Sequence, residues 1–151
     1  MNREFTFDKL KAEHKQDFLD MSREFYASDA VLSPVPDDFH LRALDELLKS
    51  DRYIQCYIFR KGNETAGYAL LAKSYSREAG GEMLWIDEIY IRPPFRGMGA
   101  AKMFFDFIHT EFSPARFRLE VEKDNARAIA LYEKKGYSAL PYVQMIRDNK
   151  Q

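Results

Sequence analysis

From Trp85 to Ala101 the chain reads Trp-Ile-Asp-Glu-Ile-Tyr-Ile-Arg-Pro-Pro-Phe-Arg-Gly-Met-Gly-Ala-Ala. A strand-like run meets two prolines, then a glycine-containing turn that opens a helical pattern. Main-chain N–H groups at such a junction lack helical partners, and the helix dipole favours negative charge there. Gly97 and Gly99 remove side chains that would hold a phosphate away, and Arg96 adds a cation, so the turn suits a pyrophosphate. No Gly-Lys-Ser/Thr follows, so it is not a Walker loop, and the full dinucleotide glycine fingerprint is absent. Taken by itself, the same turn serves equally as a tight connection. A second constellation runs from Leu119 to Tyr137 and contains Glu120, Asn125 and Tyr132. Asn125 and Tyr132 are two helical turns apart and share a face. Their other reading is an N-cap and a half-buried aromatic.

These segments need elements to hold them. Arg3 to Phe7 alternates weakly as a first strand. Phe18, Met21, Phe25 and Tyr26 recur at helical steps between Lys11 and Ala27. Ser33-Pro34-Val35-Pro36 breaks the chain, and Asp37-Asp38 can cap a second helix carrying Leu41, Leu44, Leu47 and Leu48. Tyr53–Arg60 and Glu64–Lys73 read as antiparallel strands around Gly62-Asn63. A long strand follows from Met83 to Ile91, ended by Pro93-Pro94. Ala101, Phe104, Phe105, Ile108 and Phe112 mark a helix stopped at Ser113-Pro114, and Phe117–Val121 is another strand. Asn125 caps a helix to Lys135 with Gly136 at its C-terminal end. Tyr137–Ile146 holds one or two closing strands around Pro141. The expected architecture is a mixed, mostly antiparallel sheet of six to seven strands flanked by about four helices, with the ligand in the strand–helix–strand–helix second half.

Composition narrows the function classes. The chain has 151 residues, 46% hydrophobic and 31% charged, which fits one folded domain rather than a disordered chain. A net charge of −1 argues against a basic nucleic-acid binder. Cys56 is the single cysteine, so no internal disulfide forms. The apolar runs, such as Ala69-Leu70-Leu71-Ala72, are far shorter than the ~20 residues of a membrane span. Met1-Asn2-Arg3-Glu4-Phe5 does not read as a secretory leader, and a cytoplasmic location is expected. His14, His40 and His109 are too scattered for a metal site, and no metal is expected. His40 reads as a surface histidine, and Cys56 as a small core residue.

Together the two segments resemble the GNAT superfamily of acyl-CoA-dependent N-acetyltransferases. Arg96-x-x-Gly99-x-Ala101 matches that family's pyrophosphate motif. Asn125-x-x-Ala128-x-x-Leu131-Tyr132-x-x-x-Gly136-Tyr137 matches its second signature at the expected distance. The resemblance is carried by Trp85 to Tyr137 and extends over residues 1–151 as a single domain. It implies acetyl-CoA as cosubstrate, its pyrophosphate on the N–H groups of Arg96, Gly97, Met98, Gly99, Ala100 and Ala101. It implies a pantetheine arm paired like an added strand with Ile89, Tyr90 and Ile91, and contacted by Asn125. Tyr132 would protonate the departing thiolate. The acceptor amine must lose a proton, and two acids compete for that role, Glu88 and Glu120. Tyr26, Asp37, Asp38 and Phe39 fall where relatives build the acceptor site. Two carboxylates there suit a cationic acceptor, and they serve equally as helix caps.

The resulting expectation is direct transfer of acetyl to a primary amine of a small molecule or peptide, with no nucleic-acid or membrane partner. A homodimer is compatible with it. The competing expectation is a GNAT-fold domain that binds or senses coenzyme A without transfer.

Overall fold

The computed structural model describes residues 4–149. They fall into two compact units that divide between Glu120 and Val121. In the first unit the strands are β1 (Thr6–Lys9), β2 (Ile54–Lys61), β3 (Glu64–Ser76), β4 (Gly81–Ile91) and β5 (Arg116–Leu119), and the helices are α1 (Lys15–Tyr26), α2 (Asp37–Lys49) and α3 (Ala100–Glu111). The second unit carries α4 (Ala126–Lys134).

The five strands lie in sequence order in one sheet. β1 to β4 are antiparallel neighbours, and β5 joins β4 in parallel. α1 buries Phe18, Met21 and Phe25, α2 buries His40 and Leu44, and the two helices cover one side of the sheet. There they enclose Cys56, Ile58, Tyr68, Leu70 and Tyr90. α3 turns Phe104, Phe105 and Ile108 inward. Its aromatic seam joins Phe7, Phe59 and Phe104, with Phe59 centred 4.9 Å from both Phe7 and Phe104.

A β-bulge in β4 sets the orientation of Glu88. Leu70 pairs with Glu88 and Leu71 with Ile86, so Asp87 has no partner on β3. In a regular strand Ile86 and Glu88 share a face; the extra residue separates them. Ile86 follows Leu71, while Glu88 follows Leu70 into the face covered by α1 and α2.

The sheet has five strands, not six to seven. The closing strands expected over Tyr137–Ile146 do not form; among the described residues, 138–149 contain no strand. A strand needs a ladder to join, and Pro141 has no N–H to give one. The first strand lies at Thr6–Lys9, so the expected strand over Arg3 to Phe7 is displaced, and Arg3 itself lies outside the described residues. Asp37 and Asp38 do not cap α2. Pro36 holds the N-cap position and no side chain caps the helix. Instead Asp37 accepts from Arg23 Nε at 2.8 Å and Asp38 lies 3.0 Å from Arg42, both inside the first turn, where acids complement the dipole. His40 is buried rather than on the surface, because helical spacing aligns it with Leu44 on the inward stripe.

Candidate active site

β4 is paired along one edge throughout and along the other only in part. β3 accompanies it from Gly81 to Ile91, whereas β5 matches Met83–Ile86 with Arg116–Leu119 and stops. The Arg92 N–H donates to the Ala66 carbonyl at 2.8 Å, which sets the phase of the antiparallel ladder. Residues of such a ladder alternately face their partner and face away. Glu88 and Tyr90 therefore turn their main-chain groups toward β3, while Ile89 and Ile91 turn theirs to the open edge. Of the three residues expected to pair with a coenzyme arm, Ile89 and Ile91 are so aimed and Tyr90 is not.

The open edge leads directly into the glycine turn. After a single 3-10 turn at Pro93–Phe95, Gly97 and Gly99 adopt φ of +75° and +83°, the left-handed region that glycine enters without strain. A Cβ at either would meet nothing within 4 Å, so these glycines answer a backbone requirement and leave the space above the turn open. Gly99 is the N-cap of α3 and no side chain caps that helix. The first helical bond runs from Met103 N–H to the Gly99 carbonyl, 3.0 Å. The N–H groups of Ala100, Ala101 and Lys102 precede it in the first turn, where an anion is favoured.

Arg96 is partly committed to the fold. Its Nε donates to the Ile91 carbonyl at 2.8 Å, and the guanidinium lies 5.8 Å from the Tyr90 ring centroid, so it folds back and ties the turn to the strand end. A second cation, Lys61 at the end of β2, brings Nζ to 3.4 Å from Met98 Sδ in the turn. Lys61 escaped the sequence reading because its proximity arises from the sheet, not from any local motif.

Glu88 is held by two phenols. Tyr68 Oη donates to its Oε1 at 2.7 Å and Tyr26 Oη to its Oε2 at 3.1 Å. Burial pushes the Glu88 carboxyl above the usual carboxylate range, Asp87 pushes the same way, and the two phenol bonds oppose the shift. Behind Tyr26 stands His40, its ring edge-on at 5.4 Å and its Nδ1 bonded to Ser22 Oγ at 2.7 Å. Tyr90 Oη and Arg92 both bond Glu24 of α1. A carboxylate that retains acceptor capacity while partly removed from water suits proton abstraction. Tyr68 was not foreseen, since its facing Glu88 depends on the bulge.

Glu120 lies exposed just past β5. Burial first, and Glu120 second, raise the Asp87 carboxyl. In the second unit Asn125 caps α4, its Oδ1 accepting from Ala128 N–H at 3.2 Å, and Gly136 follows the helix with φ of +93°. Tyr132 sits on α4 with its ring centroid 6.2 Å from that of Tyr137, and burial raises its phenol. Cys56 is fully buried and its thiol is held well up by burial, which fits a core residue. No group of three or more His, Cys, Asp or Glu able to hold a metal occurs among the described residues, and none of their helices is long and apolar enough to cross a membrane.

Comparison with known proteins bears on the fold. A possible acetyltransferase from Clostridium difficile 630 superposes with a TM-score of 0.79 at 16% identity, covering 97% of this chain and 99% of its own. AAC(6')-Iy, an aminoglycoside N-acetyltransferase, in complex with the bisubstrate analog CoA-S-monomethyl-acetylneamine, gives 0.78 at 16% identity, with 97% and 99% covered. A ribosomal-protein-alanine N-acetyltransferase from Brucella melitensis biovar Abortus 2308 gives 0.72 at 22% identity, with 96% and 100% covered. No curated protein sequence matches the chain. The model of the acetyltransferase (GNAT) family matches residues 15–137, and the chain belongs to that family.

Proposed function

We propose that the protein transfers the acetyl group of acetyl-CoA directly to a primary amine, with residues 1–151 acting as one catalytic domain. The observation that carries this reading is the open edge of β4, with the main-chain groups of Ile89 and the N–H of Ile91 aimed outward, the Ile91 carbonyl being held by Arg96, beside an uncapped, glycine-turned helix start. That combination offers an extended arm a strand to pair with and its pyrophosphate a set of N–H donors. Gly97 through Ala101, with Arg96 and Lys61 beside them, hold the anionic end. Asn125 contacts the arm by analogy with the family motif it matches. Acetyl-CoA supplies the thioester that the amine attacks.

Glu88 takes the proton from the attacking amine; its two phenol bonds fix its orientation and its burial raises its basicity. It is favoured over the exposed Glu120 for that reason. An N–H at the open edge, from Ile89 or Ile91, polarises the thioester carbonyl as charge develops. Tyr132 returns a proton to the departing sulfur. The new N–C bond replaces the C–S bond, and one proton leaves nitrogen as one reaches sulfur. Two of the structural neighbours are named N-acetyltransferases, for an aminoglycoside and for ribosomal-protein alanine, which supports nitrogen as the acceptor atom.

The test is release of free thiol from acetyl-CoA across polyamines, aminoglycosides, amino acids and basic peptides. Acceptor-dependent release is expected, and Tyr132→Phe should lower it strongly while leaving coenzyme affinity nearly unchanged. Tight coenzyme A binding with no release for any acceptor favours a binding or sensor domain.

A further inference from the structure

The face of the sheet that carries Glu88 carries a cation that acetyl transfer does not use. Directly paired residues share a face. Ile54, packed against the core beneath α1 and α2, pairs with Ala72. Ala72 pairs with Trp85, and Trp85 with Arg118. The Arg118 guanidinium carbon lies 4.6 Å from the centroid of the Trp85 ring, within cation–π range, and both residues are half-buried. Its neighbour on the same face of β5, Arg116, is engaged by Glu78 at 2.7 Å. Among the described residues Arg118 has no ion pair and no hydrogen bond.

The guanidinium is planar by delocalisation, its N–H donors form a fork that grips a carboxylate through two bonds, and a ring beneath its central carbon limits where that fork can point. Trp85 precedes Glu88 by three residues, one of them the bulged Asp87, which places the pair roughly 7–10 Å from Glu88 along the strand. The opposite charge sits at the other end: Glu88 with Asp87 beside it, and Glu120 close enough to raise Asp87. Asp37 and Asp38, the carboxylates that would suit a cationic acceptor, are occupied by Arg23 and Arg42.

We infer that the acceptor is an aminocarboxylate, its primary amine meeting Glu88 and a carboxylate several bonds away docking on Trp85 and Arg118. The role of Glu88 in this statement rests on the acetyl-transfer reading; the anion site at Arg118 does not. Trp85 is the single tryptophan, so its emission reports the site directly.

The experiment titrates lysine and its decarboxylated counterpart cadaverine, with and without saturating coenzyme A, and follows Trp85 emission in the wild type, Arg118→Gln and Arg118→Lys. The expected result is a saturable change with lysine, weakened about tenfold or more by Arg118→Gln, partly restored by Arg118→Lys, and absent with cadaverine. Equal responses to both compounds, a lysine response that survives Arg118→Gln, or no response to either overturns the inference. Failure of the acetyl-transfer reading registers separately, as lysine binding at Arg118 without release of thiol from acetyl-CoA.

Discussion

The two faces of the sheet are built from different materials. On the α3 side Phe7, Phe59, Phe104 and Phe107 interlock ring against ring, with centroids 4.9–6.1 Å apart. On the α1–α2 side the core is interrupted by side chains that bond one another: Ser22 with His40, Tyr26 and Tyr68 with Glu88, Tyr90 and Arg92 with Glu24. Dry aromatic packing contributes stability through area and shape, whereas a buried polar network is costly unless satisfied and is retained where its groups do work. One face anchors the sheet; the other holds the carboxylate proposed as the base.

Cutting into the anchor should give the largest effect. Phe104 is fully buried, and Phe104→Ala should cost about 3–5 kcal/mol, the usual range for emptying a large aromatic site. Urea denaturation measures it, and a loss below 1 kcal/mol would mean that the aromatic seam is not where the stability resides. Glu88→Gln should act in the opposite sense, lowering kcat by about 10²–10⁴-fold with little harm to the fold. The native state holds the Glu88 proton more tightly than the unfolded chain does. Glu88 thus contributes stability that is complete below its unfolded pKa and is lost as pH rises through the raised native value. Thermal melts at mildly alkaline pH should therefore place Glu88→Gln at or above the wild type, an advantage that fades in acid. A clear drop in melting temperature at both pH values would reassign Glu88 to structure.

The turn at the end of β4 joins both faces and should respond at an intermediate level. Gly99→Ala puts a side chain at φ of +83°, a strain of about 1–2 kcal/mol. No neighbour blocks the Cβ, so the damage should appear as lower stability and weaker coenzyme A binding, read by calorimetry on the same sample. Unchanged coenzyme affinity would separate the turn from the pyrophosphate.

Part of this is legible in the sequence and part is not, and the division has a physical cause. Local rules placed α1 through the spacing of Phe18, Met21 and Phe25, α3 through Phe104, Phe105 and Ile108, and the Asn125 cap. The Gly97–Gly99 turn was equally visible, since only its own backbone decides it. What stayed hidden depends on pairing between distant segments. No feature of Ile86-Asp87-Glu88 announces the bulge that reverses Glu88, so neither Tyr68 nor the direction of the carboxylate could be derived. His40 looked like a surface residue because its partner Ser22 lies on another helix. The strands expected over Tyr137–Ile146 do not form for the same reason: a local run of residues does not say whether an edge exists to receive it.

The smallest predicted effect tests the polar face most directly. Tyr68 Oη bonds Glu88 Oε1 at 2.7 Å, and that bond favours the charged carboxylate, lowering a pKa that burial has raised. Tyr68→Phe removes the donor and leaves the ring, so the packing against Phe18 is retained. The Glu88 pKa must then rise further, and because the base works only when deprotonated, the acid limb of kcat against pH moves to higher pH. Tyr26→Phe should move it the same way by less, since the longer 3.1 Å bond opposes the shift less strongly. At pH well above the limb both variants should approach wild-type rates, which a merely structural role would not give. If neither substitution moves the limb, the titrating base is not Glu88, and Glu120, which neither phenol touches, becomes the group to replace.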